Sequence, residues 1–209
     1  EAGLKTVAVT AGYIGAGARP EFFAAMDAAN IDLKAFTENF YRRLCTGSLE
    51  AVLDTLRYVK HETKTWLEIT TLLIPGENDS SQELAALSEW VMTNLGPDVP
   101  LHFTAFHPDW KMMGTPPTPP STLKRARAIA AAAGLRYVYT GNVHDEAGQS
   151  TYCASCGERL IGRDWYRITD WRLDAGGRCA ACGASCPGLF EARPGTWGAR
   201  RAPILIAAA

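Results

Sequence analysis

Long apolar runs are missing from this chain of 209 residues. None approaches the roughly 20 residues that a helix needs to cross a bilayer. No basic-then-apolar leader opens the chain, so nothing supports secretion. An excess of either charge is missing too. Lys and Arg total 21 against 22 for Asp and Glu, a net charge of −1. That balance offers neither the basic footprint of a nucleic-acid binder nor an acidic tail. No internal repeat is evident. Cysteine is nearly absent before residue 150, where Cys45 stands alone.

The 47% hydrophobic share is enough to bury a sizeable core. Length alone predicts one medium domain with a small appendage. Strand-like and helix-like stretches alternate along most of the chain. Residues 5–10, 30–34, 66–74, 101–106 and 136–140 are β-prone. Helical segments are predicted over 20–28, 37–44, 48–60, 81–95 and 121–133. Val52, Leu53, Leu56 and Val59 recur at helical spacing in the third of these. Ser80 and Glu83 have capping-box spacing, in which the hydroxyl takes the Glu83 N–H and the carboxylate reaches back to the Ser80 N–H. Gly96-Pro97 ends that helix. Ser121 is expected to cap the last helix and Gly134 to close it. Alternating β and α predicts a parallel sheet with right-handed crossovers. Periodicity leaves open whether that sheet is doubly wound or part of a barrel.

Composition shifts near Gly148, from alanine-rich helical pattern to Cys, Gly, Arg and Trp. The expected domains are 1–148, an α/β domain; 149–192, a cysteine-rich knob; and 193–209, a short arm. Within the knob, Cys153-Ala154-Ser155-Cys156-Gly157 and Cys179-Ala180-Ala181-Cys182-Gly183 repeat one device. Each C-x-x-C turn puts two thiolates on one side of a knuckle. The glycine after it allows amide N–H groups to face sulfur. Two knuckles supply the tetrahedral four-thiolate set of a structural Zn²⁺ site. A redox dithiol pair and an iron–sulfur cluster are the alternatives. The intervening residues suit a zinc-ribbon hairpin with a turn over 174–177. Such spacings imply metal ligation in a reducing, cytoplasmic compartment. Cys186 is read as non-ligating and Cys45 as a packing residue.

Ligands of parallel α/β sheets gather at the carboxyl ends of the strands. Here those ends carry Thr10, then Asp32 and Lys34, then Ile74 through Asp79, then His107, then Thr140 through Asp145. Asp32 and Lys34 share a face by strand alternation. Each feature has a plain structural explanation: an ion pair, a turn, a loop histidine. Together they form a polar rim suited to a zwitterion, with its carboxylate toward Lys34 and its ammonium toward Asp32.

Asp32-Leu33-Lys34, Ile74-Pro75-Gly76-Glu77-Asn78-Asp79 and Phe106-His107-Pro108, in this order, resemble radical S-adenosylmethionine (SAM) enzymes related to the pyruvate formate-lyase activating enzyme. Tyr139-Thr140-Gly141-Asn142-Val143-His144 and the four-cysteine knob narrow the likeness to the AmmeMemoRadiSam system radical SAM enzymes. The resemblance implies a partial (β/α) barrel, a [4Fe–4S] cluster and S-adenosylmethionine, with reductive cleavage to a 5′-deoxyadenosyl radical. It implies that Asp32 and Lys34 contact the methionyl part, with Thr10, Ile74 and His107 near the cofactor. It also implies companion proteins as partners or substrates. The pattern departs in three ways. The C-x-x-x-C-x-x-C cluster motif and the Gly-Gly-Glu segment are absent, and Ala11 replaces Asn in the Thr-x-Gly turn. The expectation is that this is the C-terminal portion, inactive alone because the N-terminal strands are missing. A rival reading is a non-catalytic zinc-ribbon interaction module on an α/β scaffold. A zinc hydrolase is disfavoured, since four thiolates leave no coordination site for water.

Overall fold

The computed structural model describes residues 4–195. They form two compact units, divided between Val143 and His144. Composition places that change five residues later, near Gly148. The expected arm from residue 193 lies almost entirely outside the described residues.

The first unit carries five strands: β1 (Val7–Thr10), β2 (Ala28–Asp32), β3 (Trp66–Leu73), β4 (Leu101–Ala105) and β5 (Val138–Gly141). They pair in parallel in their sequence order, β1-β2-β3-β4-β5. The linking helices are α1 (Arg19–Ala24), α2 (Glu38–Phe40), α3 (Leu49–Glu62), α4 (Ser81–Leu95) and α5 (Pro120–Ala132). One core cluster joins Ile31, Ile69 and Phe103 of the sheet to Leu56 of α3, Leu87 of α4 and Leu123 of α5. The long helices therefore cover one sheet face. Sequential order with one-sided crossovers is the winding of a barrel segment; a doubly wound sheet would reverse its order and cover both faces. That settles what periodicity leaves open.

The opposite face carries the alternate residues of each strand, none of them fully buried. Register places Asp32, Thr70, His102 and Tyr139 in one row across β2 to β5. Val7 and Val9 are 61% and 80% exposed on β1, the last strand on that side of the described sheet.

Local signals hold in part. The Ser80 hydroxyl accepts from Glu83 N, as expected of the N-cap. The Glu83 carboxylate does not return to Ser80. It accepts instead from Phe36 N at 2.7 Å, because the half-buried backbone after β2 needs an acceptor. The last helix begins at Pro120 with Pro119 at its N-cap and no side-chain cap, so Ser121 lies inside the helix rather than at its boundary. Proline at the first helical position needs no N–H partner. Tyr41–Cys45 continue α2 as a π-helical turn that ends on a left-handed Thr46.

Gly12 follows β1 with φ +66°, and a Cβ there would lie 2.6 Å from the Ile31 side chain. Gly76 has φ +77° with nothing near. Gly12→Ala should cost about 2–4 kcal/mol, from left-handed strain plus overpacking, and Gly76→Ala about 1. Urea midpoints measure both, and equal costs would contradict the contact with Ile31.

The second unit contains α6 (Glu146–Gln149), β6 (Thr151–Tyr152), β7 (Arg159–Asp164) and β8 (Arg167–Trp171). The last three form an antiparallel sheet. The hairpin turns at Trp165-Tyr166, and the Asp174–Gly177 turn follows β8, closed by Gly177 N donating to Asp174 O.

Candidate cofactor rim and metal centre

All five strand ends of the first unit lie along one edge, because the strands are parallel. Side chains lace that edge together. Asn78 is 2% exposed. Its Oδ1 accepts from Ile74 N at 2.7 Å, and its Nδ2 donates to Lys34 O at 2.7 Å and Leu72 O at 2.9 Å. It thus ties the end of β3 to Lys34, two residues beyond β2. Tyr41 Oη accepts from Lys34 N at 3.0 Å. Burial pushes that phenol's pKa upward against the opposing Lys34 N–H bond, so it stays protonated. Thr118 performs the same service between β3 and β4: its hydroxyl donates to Leu73 O and accepts from Phe106 N. Asn142 Nδ2 donates to Ala105 O, linking the ends of β4 and β5.

On this edge Lys34 Nζ meets Asp32 Oδ2 at 2.8 Å, with side chains 40% and 34% exposed. Backbone on both sides of Lys34 is held, while the two charges face outward. Thr10 Oγ1 accepts from Gly12 N, closing the turn after β1. Ile74 is buried and its N–H is consumed by Asn78. His107 is exposed just beyond β4. Glu77, in the loop after β3, pairs with Arg43 of the π-helical turn. Sequence reading treats Pro75-Gly76-x-Asn78-Asp79 as a turn. The signal it lacks is the burial of one asparagine. His144 belongs to the second unit, with Nδ1 3.5 Å from Asp164 Oδ1.

Cys45 is the first unit's single cysteine and packs partly buried against the core. Burial raises its pKa, and the nearby Lys34 charge only partly opposes that. One protonated thiol does not fit an iron–sulfur cube, which takes cysteine thiolates at several corners.

The second unit brings the two knuckles together. Sγ atoms of Cys153, Cys156, Cys179 and Cys182 lie within 4.8 Å of one another. Cys153 and Cys182 are 3.6 Å apart, and Cys156 and Cys179 are 3.7 Å apart. Four sulfurs at about 2.3 Å from one ion sit ~3.8 Å apart in a tetrahedron. A four-iron cube spreads its thiolates further, one per corner. The knuckles have matching backbone bonds: Gly157 N to Cys153 O at 2.9 Å, and Gly183 N to Cys179 O at 2.8 Å. Both glycines have positive φ, +77° and +75°.

The thiols also compete for ionisation. Burial raises Cys153, but N–H groups of Cys156 and Ser155 and the neighbouring thiols outweigh it and hold its pKa at about 7. The Glu158 N–H favours the Cys156 thiolate, yet Cys182, burial and the other two cysteines push its pKa up to about 12. A divalent cation removes that conflict, so the donor set fits a single tetrahedral metal such as zinc. Cys186 is buried outside the four, with its N–H on Gly177 O.

No helix among the described residues is long and apolar enough to cross a membrane. No family model matches the sequence. An uncharacterised protein of Methanocaldococcus jannaschii is 41% identical over 184 residues, covering 88% of this chain and 54% of that protein. The chain thus spans about half the length of that curated relative. Among solved structures, a domain of the pyruvate-formate lyase-activating enzyme from Bacteroides vulgatus superposes with a TM-score of 0.58 at 18% identity, over 67% of this chain and 83% of that one. A radical SAM methyltransferase from Sphaerobacter thermophilus gives a TM-score of 0.51 at 16% identity, over 73% and 43% of the two chains. At such identities the likeness speaks to architecture, and the architecture shared with these two proteins is a parallel α/β fold.

Proposed function

We propose that this chain is the C-terminal portion of a radical SAM enzyme of the activating-enzyme type, belonging with the AmmeMemoRadiSam system. The observation that carries this reading is the Asp32–Lys34 pair, exposed in side chain and clamped in backbone at the end of β2. Opposite charges 2.8 Å apart suit the ammonium and carboxylate of an amino acid, each exchanging its partner for the ligand. Thr10, Ile74 and His107 line the same edge and are assigned to the cofactor's surroundings. When bound beside a reduced [4Fe–4S] cluster, S-adenosylmethionine would supply a 5′-deoxyadenosyl radical. In this reading the cluster's cysteines lie outside the sequence. The place of β1 supports it, since this last strand on its side of the described sheet offers an edge where further barrel strands could pair. The four cysteines hold a structural Zn²⁺, and companion proteins of the system are the partners.

The test uses protein expressed from the whole reading frame, reconstituted anaerobically with iron and sulfide. Four irons in addition to one zinc, and 5′-deoxyadenosine on reduction, are expected. Asp32→Asn and Lys34→Met should each weaken S-adenosylmethionine binding about tenfold or more, as loss of a charge-assisted contact implies. Wild-type affinity in both variants would refute the assignment.

A further inference from the structure

The sheet face away from the helices holds a second constellation, which the rim does not use. His102 Nε2 lies 2.7 Å from Glu68 Oε2, and the other oxygen of Glu68 accepts from Trp66 Nε1 at 3.0 Å. The His102 ring stacks on Tyr139, with centroids 4.9 Å apart and planes 24° apart. These residues come from three adjacent strands and meet only because the register aligns them. Where the Glu68 carboxylate is ionised it can only accept, so Nε2 donates, and a neutral ring in that tautomer keeps a lone pair on Nδ1. No described residue bonds Nδ1, and the side chains of His102 and Glu68 are 28% and 34% exposed.

A carboxylate behind an imidazole fixes its tautomer, orients the ring and strengthens the outer nitrogen as an acceptor. A ring pinned by Glu68 on one side and Tyr139 on another is preorganised, with Nδ1 left without a partner among the described residues. His102 shares a row with Asp32 two strands away, which sets them about 10 Å apart. A molecule held at His102 would therefore sit beside a ligand held at Asp32 and Lys34.

We propose that Glu68, His102 and Tyr139 form the substrate site. His102 Nδ1 accepts a hydrogen bond from a hydroxyl or ammonium group of a small polar substrate, and the Tyr139 ring lies against its carbon frame. Glu68 is a positioning residue acting through His102. The inference rests on the preceding reading for its neighbouring cofactor, yet its chemistry can be measured alone.

The experiment follows the four histidines by ¹⁵N NMR in the whole protein, with His102 assigned from His102→Gln. The probes are 1-butanol and butylammonium, which separate a hydroxyl from an ammonium source. At least one should move the Nδ1 resonance of His102 saturably while leaving His61 in place. Glu68→Gln, which keeps shape and removes charge, should weaken that probe about fivefold. S-adenosylmethionine affinity should hold in both variants. If neither probe moves His102, or if Glu68→Gln binds as the wild type does, the proposal fails even where S-adenosylmethionine binds normally. Wild-type protein that shows the probe shifts but does not bind S-adenosylmethionine would instead overturn the assignment of Asp32 and Lys34 alone.

Discussion

Cys179→Ser will abolish the fold of the second unit while the first keeps its own. The reason lies in how little apolar material the second unit has. Its buried hydrophobic residues, among those described, are Leu160, Ile161 and Leu173, together with Cys153, Cys179 and Cys186. Three aliphatic side chains cannot offset the ordering of some fifty residues, and small domains of this kind need a staple. A structural Zn²⁺ contributes an apparent ~10–16 kcal/mol at neutral pH, far more than such a core. Removing one thiolate leaves three donors and a buried hydroxyl in place of a ligand. Among the described residues, the first unit's core cluster runs from Ala8 through Val138, with Val143 packed at its margin.

Zinc content should fall from about one per chain to near zero. The amide resonances of Gly157 and Gly183, set apart by the knuckle geometry, should collapse to unfolded positions. A strong chelator should produce the same change in the wild type, reversed by added zinc. A well-folded second unit after complete metal removal would sink the claim that the metal holds it together.

How far the sequence reveals this molecule depends on the distance over which each interaction acts. Alternating patterns disclose five strands and their crossovers, because period two and period 3.6 are local. The knuckles are legible for the same reason: C-x-x-C-Gly fixes its own turn. Glu83 shows the limit. Its spacing from Ser80 predicts a reciprocal cap, yet the carboxylate serves the half-buried N–H of Phe36, 47 residues away. The pairing of Glu68 with His102 spans 34 residues and depends on strand register, which periodicity does not specify. The hairpin turn falls on Trp165-Tyr166, two aromatics with strand-like propensity; Trp165 takes a left-handed φ of 52° there, which aromatic side chains rarely adopt.

Asn78 is where stability and the candidate site meet. Asn78→Ala removes one acceptor and two donors from a position that water barely reaches, leaving Ile74 N, Lys34 O and Leu72 O without their side-chain partner. Unpartnered buried groups cost about 1–3 kcal/mol each, and partial relaxation brings the expected total to about 3–4. That is a large part of the ~5–15 kcal/mol by which domains are stable. Thr118→Val offers the internal comparison. It cuts the hydroxyl contacts to Leu73 O and Phe106 N between β3 and β4, at a cost of about 2 kcal/mol, and touches nothing on Lys34. Both variants should lower the urea midpoint. Only Asn78→Ala should also weaken S-adenosylmethionine binding, because it frees the carbonyl that holds Lys34 beside Asp32. If the two variants lose stability but bind the cofactor equally well, Asn78 is a strand clamp alone, and the geometry of Lys34 is set by Tyr41 without it.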